Sequence, residues 1–179
     1  MSQKSGPWME TFSGRQVYPL MPDSADVCLE DIAHALSMLC RFTGHSKVFY
    51  SVGQHSVLVS QVCQPEHALI GLLHDATEAY LGDMGRPLKS CLPAYKSLES
   101  VWALFIGHHF KLGSDLQLLP PDVKQADEIL LATERRDVLN PSGHHWNLRE
   151  KAMNDFIVPL SPAKAEELFL ARYLELTNA

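Results

Sequence analysis

The chain has 179 residues and a mass of 20.0 kDa, enough for one domain with its own core and too short for two of ordinary size. Hydrophobic residues make up 46% and charged residues 20%, which excludes wholesale disorder. The balance of 15 basic against 21 acidic residues gives a formal net charge of −6. That argues against a general nucleic-acid partner, which needs a basic footprint, and leaves room for a local basic pocket. Apolar runs such as Ala68–Leu73 fall far short of the ~20 residues that span a bilayer, so no membrane partner is expected. The opening Met1-Ser-Gln-Lys-Ser-Gly-Pro lacks the apolar stretch of an export signal. Cys28, Cys40, Cys63 and Cys91 form no Cys-x-x-Cys pair and read as buried reduced thiols, which points to a cytoplasmic address.

In chain order, Phe12–Leu20 carries a turn-forming Ser-Gly and a short β-prone run, so residues 1–27 are expected as an arm or small hairpin before a domain at 28–179. From about Cys28, the apolar residues Ile32, Leu36, Leu39 and Cys40 recur at helical steps. Ser51-Val-Gly-Gln54 fits a capping box, with Ser51 as N-cap and Gln54 reaching back, so a helix over about 52–63 is predicted. Pro65 should open a helix running to about Tyr80 and stopping near Gly82. The Gly- and Pro-rich stretch 82–93 reads as a loop. Leu98, Val101, Trp102, Phe105 and Ile106 share one face of a helix over about 94–110. Pro120-Pro121 starts another, with Val123, Asp127, Leu130, Leu131 and Glu134 at helical spacing. Asn140–His145 reads as a loop, and Ser161-Pro162 as the start of a C-terminal helix. The class is all-α, with about six or seven helices.

The informative stretch is Leu72-Leu-His74-Asp75-Ala-Thr-Glu78-Ala-Tyr-Leu-Gly-Asp83. His74 and Glu78 are four apart on one face of an otherwise apolar helix. A His-Asp pair entering the core needs partners, because unpaired buried charge is expensive. A divalent cation is one natural partner, and imidazole plus carboxylate suits a transition metal. His55 follows the capping box on the preceding helix, and Asp127 occupies an apolar-face position of its own helix. His55, His74, Asp75 and Asp127 together make a workable set of metal ligands with room for water and substrate. The adjacent pairs His108-His109 and His144-His145 read as surface or loop histidines, whereas His45 lies near enough to Arg41 to line a pocket. Glu134-Arg-Arg-Asp137 reads as a salt-bridged helix end, and Trp102 and Phe105 as core or subunit interface.

The ordered set Cys40-Arg41-Phe42, His55, His74-Asp75-x-x-Glu78, Asp83, Pro87-Leu88-Lys89 and Asp127 resembles the HD-domain superfamily of metal-dependent phosphohydrolases over about residues 12–137. Within it, the layout is similar to compact 5′-deoxynucleotidases and to small phage and prophage deoxynucleoside triphosphohydrolases. The resemblance implies a compact HD-domain helical bundle and one divalent transition metal (Co, Mn, Zn or Fe rather than Mg) on His55, His74, Asp75 and Asp127. It further implies Glu78 orienting or deprotonating the attacking water and Asp83 at the mouth of the site. Arg41 would clamp the phosphate, Phe42 would face sugar or base where the nucleotidases carry tryptophan, and Lys89 would be a second phosphate contact. Arg86, in the loop that follows the metal helix, adds a further cation. The implied activity is hydrolysis of deoxynucleotides, with 5′-monophosphates favoured. The alternatives are attack on a triphosphate with release of tripolyphosphate, and a non-catalytic nucleotide-binding regulator. Oxygenation at a di-iron centre would need further ligating histidines. Compact relatives of this kind form homo-oligomers, and the apolar excess of the 94–110 helix fits one.

Overall fold

The computed structural model describes residues 4–178; Met1-Ser-Gln of the leading stretch and Ala179 lie outside the described residues. The fold is all-α, with one small hairpin. Strands β1 (Met9–Glu10) and β2 (Gln16–Val17) pair antiparallel, Met9 opposite Val17. Asp31 docks this hairpin on the first helix by accepting from Thr11 Oγ1 (2.8 Å), Ser13 N–H (2.6 Å) and Ser13 Oγ (2.8 Å). Val17 and Val27 are buried in the same core as the helices, so the arm packs as part of the body.

Nine α-helical segments follow among the described residues, four of them only four to six residues long: α1 Leu29–Met38, α2 Val52–Val62, α3 Ala68–Leu73, α4 Glu78–Leu81, α5 Arg86–Ser90, α6 Pro93–His109, α7 Asp115–Leu118, α8 Pro121–Asp137 and α9 Pro162–Thr177. Helix α2 is central and meets α1, α3, α8 and α9. That environment explains why it is buried on almost every side from Val52 to Ser60 instead of showing one apolar stripe. Ser51 caps it, accepting from Gln54 N–H (3.0 Å). Gln54 does not reach back as the capping box predicted. Its amide instead donates to the Val158 carbonyl (2.8 Å) and accepts from Leu160 N–H (2.9 Å), tying the chain before α9 to the start of α2.

The helix expected from Pro65 to Tyr80 is broken. A 3-10 turn (Pro65–His67) leads into α3, and residues 74–77 form a tighter turn before α4. Backbone bonds there run to the third residue back, Ala76 N–H to Leu73 and Glu78 N–H to Asp75. The His74 ring takes the Gly71 carbonyl at 2.8 Å, competing with the helical ladder for that acceptor. Gly82 ends α4 at φ +81°, a conformation that favours glycine. The stretch 82–93 is not wholly loop: it holds α5, with Pro87 in the first turn, where its missing N–H is harmless.

Two close approaches set the helices that carry the site. A Cβ on Gly71 of α3 would stand 2.8 Å from Cys63 Sγ and 3.1 Å from Ser60 Cα, and one on Gly53 of α2 would stand 2.6 Å from Ser37 Oγ of α1. Both positions admit only hydrogen. On α6, Trp102 and Ile106 face inward, with Trp102 stacked on Tyr80 at 4.2 Å between ring centres. Val101 and Leu104 remain exposed. All four cysteines are free, but only Cys28 and Cys63 are buried; Cys40 is half-buried and Cys91 exposed, which corrects the expectation of four buried thiols. Among the described residues, no helix is long and apolar enough to cross a membrane.

Candidate metal centre

Two helices and one turn carry the four expected ligands: His55, His74 and Asp75 meet as one group, and Asp127 reaches that group through its contact with His55. Helix α2 supplies His55, the turn after α3 supplies His74 and Asp75, and α8 supplies Asp127. His55 Nε2 lies 3.3 Å from His74 Nε2, 3.7 Å from Asp75 Oδ2 and 3.3 Å from Asp127 Oδ1. His74 Nε2 lies 3.2 Å from Asp75 Oδ2. Ligand atoms of His55, His74 and Asp75 fall within 4.8 Å of one another and could hold a metal ion.

The far nitrogens of the two rings decide what the near ones offer. His55 Nδ1 sits 2.6 Å from Glu134 Oε1, and His74 Nδ1 sits 2.8 Å from the Gly71 carbonyl. Both partners only accept, so each Nδ1 carries a proton and each Nε2 of the neutral ring presents a lone pair to the cluster. Two imidazole lone pairs and two carboxylates then face one another in a largely buried space. Such a donor set repels itself unless a cation or a proton sits among the groups. In the bare protein a proton takes that role: burial and Arg41 press His55 down, but Glu134 and Asp127 outweigh them and lift it to about 9. Burial opposes ionisation of Asp127, yet the hydrogen bond and charge of His55 hold it down at about 2. Burial likewise opposes ionisation of Asp75, and His74, His55 and Arg41 overcome it and push its carboxyl well below the usual range.

Glu78 is buried, and its Oε2 has no hydrogen-bond partner among the described residues. Burial, followed by the charges of Asp75 and Asp83, holds this carboxyl well above its ordinary range. Asp83 is half-buried and is also raised, first by burial. An orphaned buried carboxyl beside two imidazoles and two carboxylates fits a site built for a cation and water.

Arg41 is not a free clamp. Its Nη2 donates to Glu134 Oε2 at 3.0 Å, and its Nη1 lies 3.5 Å from Asp75 Oδ2. A phosphate there would share a guanidinium already held by two carboxylates. Lys89 donates to Glu99 Oε1 at 2.6 Å, which draws it away from the ligand atoms, although Glu78 and Asp75 still add to its raised pKa. Arg86 is exposed, with Nη2 3.7 Å from Asp127 Oδ2. Phe42 begins a left-handed run, φ +57° at Phe42, +53° at Thr43 and +80° at Gly44, and the two non-glycine residues cost roughly 1–2 kcal/mol each. Its ring is half-buried and makes a T-shaped contact with the Trp146 ring, 6.4 Å between ring centres. His45, His108, His109, His144 and His145 are exposed.

No family model matches the chain. It is 41% identical over 174 residues to an Escherichia coli K12 protein named uncharacterized protein YfdR, an alignment that covers 96% of each. The chain belongs to the YfdR family. The match is long enough to contain every residue from Arg41 to Glu134. A Rhodobacter capsulatus protein, uncharacterized protein RCAP_rcc00048, is 35% identical over 129 residues, 66% of this chain and 64% of that one.

The residue that the pattern of this YfdR-family chain did not single out is Glu134. It is not part of a salt-bridged helix end. It is fully buried, and its two oxygens hold His55 and Arg41. Burial opposes its charge, and Arg41 and His55 outweigh that and keep it ionised. Within that segment Arg136 pairs with Asp137 at 2.6 Å as expected, whereas Arg135 turns to the His144 carbonyl and the Trp146 ring. The available signal was the seven-residue step from Asp127, which returns to the same face of α8.

Proposed function

We propose that this chain is a metal-dependent phosphohydrolase of the HD-domain type that acts on deoxynucleotides, 5′-monophosphates foremost. The observation that carries the reading is the meeting of His55 Nε2, His74 Nε2 and Asp75, with Asp127 Oδ1 against His55 and with a buried Glu78 carboxyl, raised by the charge of Asp75, whose Oε2 has no partner among the described residues. His55, His74, Asp75 and Asp127 would hold the ion, and nitrogen with carboxylate ligands favours cobalt, manganese, zinc or iron over magnesium. A divalent ion held there supplies Lewis-acid polarisation of a phosphoryl oxygen and acidifies water.

The remaining chemistry belongs to the chain. Glu78, whose basicity is raised by burial and by its acidic neighbours, accepts the proton of the attacking water at Oε2. Asp83, half-buried and raised in the same way, stands where it can return a proton to the leaving oxygen or accept from a sugar hydroxyl. Arg41 neutralises the phosphate while Glu134 keeps its fork fixed. Monophosphates are favoured over triphosphates because Arg41 and Lys89 are already engaged by carboxylates and Arg86 is the remaining cation beside the ligands. A close-packed sugar site beside Asp83 would disfavour a 2′-hydroxyl by a few kcal/mol at most.

The test is product analysis for nucleoside mono-, di- and triphosphates, ribo and deoxy, after chelation and reloading with single metals. Phosphate release from deoxynucleoside monophosphates, abolished by chelation and slowed ~10²-fold by Glu78→Gln with the metal retained, is expected. Full turnover after metal stripping, verified by elemental analysis, would sink the reading. Release of tripolyphosphate would keep the metal chemistry and replace the substrate.

A further inference from the structure

We propose that Trp146, presented by the irregular stretch between α8 and α9, stacks on the base of the nucleotide and is the chief base-binding residue of the site. This rests on the function proposed above. Contacts lead outward from the metal ligands in short steps. Arg41 Nη1 is 3.5 Å from Asp75, the Arg41 guanidinium lies 5.3 Å from the Phe42 ring centre, and the Phe42 and Trp146 rings are 6.4 Å apart at 66°. Phosphate at Arg41, sugar along Phe42 and base on Trp146 therefore follow the order of groups in a nucleotide.

The indole is held ready for a stacking partner. The Arg135 guanidinium lies over its ring at 5.5 Å, and the T-shaped contact with Phe42 braces it. Arg135 is the residue after Glu134, so the helix that fixes the metal-facing side also fixes this one. The loop is pinned beside it: Arg135 donates to the His144 carbonyl, and Arg149 N–H donates to Glu128 at 2.8 Å, one residue from Asp127. Even so, Trp146 keeps 38% of its surface open. A large aromatic side chain supported by a cation, and left partly open two contacts out from the arginine proposed to hold the phosphate, suits a π-faced ligand. The left-handed run at Phe42 and Thr43 lies at the turn that presents Phe42 to this indole, where backbone strain marks a constrained position.

Stacking is sequence-tolerant because every base has a π-face, so modest base selectivity follows. The experiment measures binding of 2′-deoxyadenosine 5′-monophosphate and of 2-deoxyribose 5-phosphate to cobalt-loaded Glu78→Gln protein by calorimetry. Trp146→Ala should weaken the nucleotide ~10-fold and leave the sugar phosphate within about 2-fold, and Trp146→Phe should recover most of the loss. Circular dichroism checks that both variants fold. Equal losses for both probes, no loss for the nucleotide, or no nucleotide binding by the parent protein would each overturn the proposal. The two readings fail separately. Trp146-dependent binding with no hydrolysis by the chain carrying Glu78 sinks the hydrolase alone, whereas metal-dependent hydrolysis indifferent to Trp146 sinks the base platform alone.

Discussion

Glu134 is the sharpest point at which to perturb the centre, because one buried carboxylate serves both a ligand and a cation. Glu134→Ala strips the Nδ1 acceptor from His55 and leaves the Arg41 guanidinium buried with only Asp75 at 3.5 Å. Breaking a buried pair by removing one partner costs roughly 3–5 kcal/mol. Glu134→Gln keeps the shape but not the chemistry. Its amide can satisfy either His55 or Arg41 as an acceptor, and its NH2 must then face the other. If the NH2 meets Nδ1, the ring takes the opposite tautomer and points an N–H at the ligand position. Loss of such an outer partner weakens metal binding by roughly 10–100-fold, or about 1.4–2.7 kcal/mol. The assay is cobalt titration followed by visible absorption, with thermal unfolding run in parallel. The double substitution Arg41→Met with Glu134→Leu separates the two roles. It should recover stability, because the buried charges leave together, while cobalt affinity stays low. Cobalt binding by Glu134→Gln within 2-fold of the parent would refute the argument.

Two further outcomes follow from the same geometry. In chelated protein the His55 proton stands in for the metal, so the stability it contributes is fully present below about pH 6.5 and lost as pH rises through about 9. That loss is on the order of 3 kcal/mol, and it should disappear in metal-loaded protein; melting curves across pH 6–10 with and without cobalt check it, and identical pH dependence in the two forms would contradict it. Gly71→Ala places a methyl 2.8 Å from Cys63 Sγ and 3.1 Å from Ser60 Cα. It should destabilise the fold by about 1–3 kcal/mol and, by moving α3 off α2, weaken cobalt binding as well, which denaturant titration and the same absorption assay would show.

The helices were legible where one face is buried and the ends carry their own signals. Ser161-Pro162 caps and opens α9 as expected, with Ser161 Oγ accepting from Lys164 N–H at 3.3 Å, and Pro121 opens α8. Two of the differences have one cause, which is a side chain taking up a backbone group or a distant partner. The ladder after α3 shifts where the His74 ring binds a carbonyl three residues back, something residue periodicity does not encode. Gln54 has the right type and spacing for a capping box, but the chain before α9, more than 100 positions away, offers its amide both a donor and an acceptor. The helix within 82–93 differs for another reason: Gly85 and Pro87 read as breakers, although proline in a first turn breaks nothing.

The centre divides along the same line. His55, His74, Asp75 and Asp127 stood out because polar groups at core positions demand an explanation from composition alone. Glu134 occupies a core position by the same rule, seven residues after Asp127 on α8. In sequence it stands beside Arg135, Arg136 and Asp137, and the four together read as a salt-bridged end. On a helix those neighbours point elsewhere, about 100° apart at each step. Arg135 turns out to the Trp146 ring and Arg136 to Asp137, while Glu134 turns inward to His55 and Arg41. A charged run at the end of a helix is therefore better read position by position around the axis than as a block. By that criterion a glutamate in register with a metal-ligand candidate is itself a candidate partner of the centre. The same reading gives Arg135 its place on the outer side of the helix, where it supports the indole, while one step inward Glu134 supports the imidazole. One turn of α8 thus braces the metal side and the proposed base side of a single site.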